Sequence, residues 1–166
     1  MNPEFSSSDT ILRHLDAYVN GISDDYIKSR YTGFVAVTAV TAYEVNIRAK
    51  IFEFCRKKHL VFGHFAESHF EKTNAKVKID HLKDGYLKKF GLKYLNRFKA
   101  KTDALEEEHL RVHRKSLKGS YNNLVQWRHG FVHDGELPAY ATYDDARAAY
   151  EAGKLIVSAF FCSLER

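Results

Sequence analysis

From Tyr26 to about His59 the chain holds one glycine, Gly33, and no proline. Phe34, Val37, Val40, Glu44, Ile47, Ile51 and Phe54 recur at steps of three and four, the spacing of one helical stripe. The run Phe34 to Ala42 is rich in β-branched residues, which weigh toward a strand. A stripe sustained over seven positions outweighs that weak preference, so a long helix is predicted. Glu44 interrupts it. A carboxylate on a core-facing stripe must find a partner, reach the rim, or take up a proton.

The same periodicity marks helices on either side. Ile11, Leu12, Leu15, Tyr18 and Val19 follow helical spacing, with Ser8 or Asp9 as a cap and Asn20-Gly21 as the end. Residues 1–7 read as a flexible leader, and residues 8–166 as a single helical domain. Ser23-Asp24-Asp25 starts the long helix, with acids in its first turn, and Arg56-Lys57-Lys58 closes it with cations. Gly63 punctuates, and Phe65 and Phe70 suggest a short helix. Thr102-Asp103 followed by Glu106-Glu107-Glu108 opens a further helix through Leu110 and Val112. Ser116 to Gly119 is a predicted break, and Ser120 a cap for a helix carrying Leu124, Val125, Trp127, Phe131 and Val132. Asp134-Gly135 stops it, with glycine suited to a left-handed C-cap. Thr142-x-x-Asp145 has capping-box spacing before a last helix, Ala146 to Leu164, with Ala149, Leu155, Ile156, Ala159, Phe160 and Leu164 as core. The fold class predicted is all-α, a bundle of five to six or more helices. No internal repeat and no phosphate-cradling glycine loop interrupts it.

Charge adds a partner class. Net charge is +5 and the pI about 9.1, which suits a polyanion. Between Lys72 and Lys101 ten Lys or Arg face two acids, Asp80 and Asp84. Within this band Lys88, Lys89, Lys93 and Arg97 are the candidate RNA contacts, interleaved with Leu87, Phe90, Tyr94 and Phe98. The plainer reading is a solvated helical face over a core. No apolar run approaches the ~20 residues of a membrane span. No secretory pattern opens the chain. Cys55 and Cys162 lie far apart, as reduced cytoplasmic thiols packed as small hydrophobes would.

The chemistry concentrates in Trp127-Arg128-His129-Gly130-Phe131-Val132-His133-Asp134-Gly135. Arginine carries a fixed charge and a fork of donors that matches phosphate. Histidine gives and takes protons near neutral pH. Together they suffice to cut a phosphodiester without a metal: one group neutralises the phosphate, the other moves protons. The rival reading is that Arg128 and His133 only satisfy carbonyls and the dipole at a helix end. His129 and His133, four apart, also have a metal-ligand spacing, with Asp134 as a third ligand. Gly130 stands where a zinc protease needs its glutamate, so no metal is expected. Neither cysteine sits beside a histidine, so nucleophilic catalysis lacks local support.

Arg128-x4-His133, with a polar residue after the arginine and glycine soon after the histidine, resembles the RxxxxH motif of the HEPN superfamily. With a long helix early and an amphipathic helix after the motif, the layout over residues 8–166 is most similar to RiboL-PSP-type HEPN ribonucleases of toxin and phage-defence systems. The resemblance implies metal-independent RNA cleavage by a homodimer, with no cofactor and Arg128 and His133 as the catalytic pair. It implies an auxiliary role for His129. An acidic residue is common on the long helix of such proteins, which favours Glu44 as a partner of Arg128 or an orienter of a motif histidine. An antitoxin or defence-system partner protein is a further expectation. The alternative is a non-catalytic HEPN module that binds nucleic acid or a partner protein.

Overall fold

A computed structural model of the protein describes residues 3–70 and 77–165. Its spine is α2 (Asp25–Lys58), 34 residues long. Asp24 caps it by accepting from the Ile27 N–H at 3.1 Å, and Arg56, Lys57 and Lys58 occupy the last turn. Around it lie α1 (Ser6–Val19), α3 (Leu60–Phe70), a π-helical turn (His81–Leu87) running into α4 (Lys88–Phe90), α5 (Leu92–His113), α6 (Leu117–His133) and α7 (Tyr143–Leu164). Among the described residues there is no strand, and no helix is long and apolar enough to cross a membrane.

Tyr43, at the middle of α2, is fully buried between two other tyrosines. Tyr121 of α6 stacks on it at 5.3 Å and Tyr150 of α7 at 6.1 Å. The Tyr43 hydroxyl donates to the Tyr150 carbonyl at 2.8 Å, so its one polar atom is satisfied in the core. Gly153 makes room, because a Cβ there would overlap that hydroxyl. The pairings also fix helix directions. Tyr43 meets Tyr150 while Lys50 reaches Glu165, so α7 runs parallel to α2. Tyr43 meets Tyr121 while Gly33 meets Phe131, so α6 runs antiparallel.

The core face of α2 is broader than the predicted stripe. Val35, Ala36, Ala39, Val40, Tyr43, Ile47, Ile51, Phe54 and Cys55 are buried, but Phe34 is 48% exposed. A helix packed by α1, α3, α6 and α7 buries more than one stripe. Several boundaries differ from expectation for local hydrogen-bonding reasons. Helix α1 begins at Ser6, and Ser8 does not cap it. Ser8 is buried, bonded to the Phe5 carbonyl at 2.9 Å and to the Tyr150 hydroxyl at 2.7 Å. The stretch expected as leader is held from Glu4 onward. Phe5 sits edge-on to Tyr43 and Tyr150, and the Glu4 N–H donates to Asn46 Oδ1 at 2.6 Å. These partners are far away in sequence and leave no local pattern.

Helix α5 passes through Thr102 without a break. The Thr102 hydroxyl is buried and donates to the Phe98 carbonyl at 2.9 Å, so it does not cap a new helix. Ser116, not Ser120, caps α6: its Oγ accepts from the Gly119 N–H at 2.8 Å, and Ser120 Oγ donates back to the Ser116 carbonyl at 2.8 Å. Gly63 lies inside α3, where a Cβ would overlap the Arg56 side chain, and the break falls at the extended His59 instead. Half of the Thr142–Asp145 capping box forms: the Thr142 hydroxyl accepts from the Asp145 N–H at 3.1 Å and donates to the Asp145 carboxylate at 2.8 Å, and α7 starts at Tyr143, earlier than expected. Leu155, expected in the core, is 40% exposed.

Candidate active site at the end of the motif helix

Helix α6 ends as its sequence predicts. The Asp134 N–H bonds to the Gly130 carbonyl at 2.8 Å, and Gly135 follows with φ of 71°, a conformation glycine takes without strain. His133 therefore occupies the last turn. That end is seated on the N-terminal half of α2. Phe131 packs over Gly33, where a Cβ would overlap its ring, and meets Phe34 edge-on at 5.7 Å.

A residue that no sequence pattern marked locks this junction. Arg30 of α2 lies between two rings, its guanidinium 4.9 Å from the Tyr26 centroid and 5.2 Å from that of Phe131. Its Nη1 donates to the Gly135 carbonyl at 2.6 Å, just past the motif helix. A second arginine thus stands at the motif end, contributed by a helix 105 residues away in sequence.

The structure sorts the predicted site residues into two groups. His129 and His133 project together into solvent, their ring centroids 4.4 Å apart at 48°. Arg128 takes the other side of the helix and is half-buried, its Nε enclosed without a hydrogen-bond partner. It faces Glu44, also half-buried, whose Oε1 is enclosed without a partner. Burial holds the Glu44 carboxyl above its ordinary range, and the charges of Arg128 and Arg48 pull it back only in part. The two are electrostatically coupled without an ion pair within 4 Å. The Tyr86 and Tyr121 hydroxyls share the enclosure. Burial raises both, and the Glu44 charge raises them further.

The basic band lies elsewhere on the chain. Lys88, Lys89, Lys93 and Arg97 are all exposed. They cluster near the C-terminal end of α2: Tyr94 packs on Phe54 at 5.1 Å, and Lys93 Nζ lies 4.8 Å over the Tyr94 ring. Arg97 donates to the Glu165 carbonyl at 2.7 Å, and Lys88 pairs with Asp84 at 3.9 Å. Between the levels of Gly33 and Phe54 a helix rises about 31 Å. Within one chain the Lys93–Arg97 end of the band and the motif end are separated by roughly that length. Lys72 and Lys76 lie outside the described residues.

Among the described residues no group of three or more His, Cys, Asp or Glu side chains could hold a metal ion. Cys55 is buried, its thiol pushed up to about 11 by burial, which does not suit a nucleophile. Cys162 is exposed, and neither cysteine is in a disulfide.

A family model described as RiboL-PSP-HEPN matches residues 4–166. No curated protein and no solved structure matches the chain.

Proposed function

The chain belongs to the RiboL-PSP-HEPN family, and on that premise we propose that it is a metal-independent endoribonuclease. The observation that carries this reading is the exposed His129–His133 pair at the end of a helix whose Arg128 faces a half-buried carboxylate. The substrate 2′-hydroxyl attacks the adjacent phosphorus. A 2′-O–P bond forms and the P–O5′ bond breaks, leaving a 2′,3′-cyclic phosphate and a 5′-hydroxyl. His133 takes the 2′-hydroxyl proton as general base or delivers a proton to the leaving 5′-oxygen as general acid. Arg128 binds the phosphate and offsets the charge that grows on it. His129 is an auxiliary donor, and Glu44 keeps Arg128 oriented. DNA lacks the attacking hydroxyl and is not cut.

Arg128 and His133 are five residues apart, about 140° around a helix of 3.6 residues per turn. One helix does not aim both at one phosphate. In this reading two copies pair at the motif end, so that the arginine of one serves beside the histidine of the other. Lys88, Lys89, Lys93 and Arg97 hold RNA away from the scissile bond. A nuclease of this kind is restrained in the cell by a partner protein, of antitoxin or defence-system type.

One observation favours a second reading. The Arg128 Nε is enclosed on the side away from the histidines, as a structural arginine would be. In that case the domain is a binding module for nucleic acid or a partner protein. Purified wild type, Arg128→Ala and His133→Ala, incubated with total RNA in EDTA, separate the two. The proposal expects cleavage by wild type and a loss of about 10²–10⁴ in rate for each variant. No cleavage of any RNA by wild type selects the binding module, and equal cleavage by all three means a contaminant.

A further inference from the structure

Residues four apart on a helix stand one above the other, with Cβ atoms about 5–6 Å apart. The chain uses this spacing for two histidine pairs. His129 and His133 on α6 have ring centroids 4.4 Å apart. His109 and His113 on α5 have centroids 4.5 Å apart. A zinc ion bound by two imidazoles at about 2.0–2.1 Å each holds its two nitrogens about 3.4 Å apart. The rings are this close, tilted at 48° and exposed, and two histidines at i and i+4 on one helix face can both ligate one zinc. Their position is not neutral. His133 is the proposed proton carrier, and a nitrogen lone pair given to a metal can neither accept nor return a proton.

We infer that the His129–His133 pair is a chelating site for a borderline divalent cation of the zinc class, and that occupation of it shuts the catalytic centre. The ion acts as an inhibitor, and the inhibitory half of the inference rests on the proposed ribonuclease reading. Two protein ligands leave the remaining positions to water, so the site is open and exchanges with free metal instead of holding a structural ion. Imidazole suits zinc, nickel and copper, whereas magnesium prefers oxygen ligands and binds histidine pairs poorly. Selectivity for zinc over magnesium therefore distinguishes chelation at the histidines from general competition of divalent ions for RNA phosphates.

The test removes the second pair first. The His109→Ala/His113→Ala variant, stripped of metal with EDTA and dialysed, is titrated with zinc chloride by calorimetry, then again with His129→Ala added. One zinc per chain is expected in the first protein and none in the second. On RNA, zinc should lower cleavage by the first protein by a factor of about 10² or more. EDTA should restore it, and magnesium at equal concentration should not reproduce the loss. Zinc binding that survives His129→Ala, or bound zinc that leaves cleavage unchanged, overturns the inference. Metal-free protein that cuts no RNA removes the ribonuclease reading instead, and the calorimetric arm then decides the chelating site alone.

Discussion

Glu44 carries two opposed effects in one side chain. Its burial disfavours the charged form, and the nearby Arg128 and Arg48 favour it; burial wins, since the carboxyl stands above its ordinary value. The folded chain therefore holds its proton more tightly than the unfolded chain. The stability this contributes is complete below the unfolded value near 4.5 and is lost as pH rises through the higher folded value. Glu44→Gln, with no charge to bury, should be more stable than wild type at pH 7, and the gap should close below about pH 4.5 in thermal melts. If the carboxylate orients Arg128, the same variant should lose cleavage despite its gain in stability. A stabilised variant of unchanged activity would leave Glu44 a tolerated rim group. At this scale the sequence exposed the candidate site unevenly. Arg128, His129 and His133 were legible because their chemistry sits within six consecutive residues. Glu44 was legible because it breaks an apolar stripe. Arg30 was not, because its position depends on two rings and a carbonyl brought to it only by the packing of α2 on α6.

Between elements, the site depends on how closely α6 approaches α2. Gly33 sets that distance, since a Cβ there would overlap the Phe131 ring, two residues before His133. Gly33→Ala adds one methyl to a filled contact, so it should cost about 1–3 kcal/mol despite the better helix propensity of alanine. It should also lower cleavage by displacing the motif end. A melting temperature at or above wild type would mean that Phe131 swings aside freely. The basic band makes a separate prediction. Lys88→Glu/Lys89→Glu/Lys93→Glu should weaken RNA binding without regard to sequence, and the slope of log affinity against log salt should fall by roughly 0.7 per lost single-strand phosphate contact. Binding that is insensitive to salt would return the band to a solvated face. That the chain is helical was legible, because helical periodicity and caps such as Asp24 and Thr142 are local signals, but the π-helical turn His81–Leu87 was not predicted. Several boundaries were not. Thr102 and Ser120 have the chemistry of caps but spend their hydroxyls on carbonyls inside a helix, a choice that burial and neighbouring turns decide.

For the whole molecule, the arrangement of α2, α6 and α7 leaves the motif end at the surface with an apolar rim. Tyr26 is exposed there against Arg30, Phe34 against Phe131, and Val132 is exposed next to His133 in sequence. Such a rim is unlike a purely solvated helix end, and a second copy of the same end would cover it while bringing two arginines and two histidines into one cleft. Pairing of this kind makes the two halves of the motif separable. Arg128→Ala keeps its histidine and His133→Ala keeps its arginine. When the two inactive proteins are mixed and allowed to exchange subunits, half of the dimers at random assortment are heterodimers, each with one of its two composite sites intact. Cleavage should return to about a quarter of the wild-type rate. The recovery should grow with exchange time and vanish when exchange is blocked by crosslinking each protein beforehand. A mixture that stays as inactive as its parts, while gel filtration shows that subunits have exchanged, would place Arg128 and His133 of the same chain at one phosphate. The 140° between them on the helix would then have to be bridged by the reach of the arginine side chain, past Glu44 and around α6.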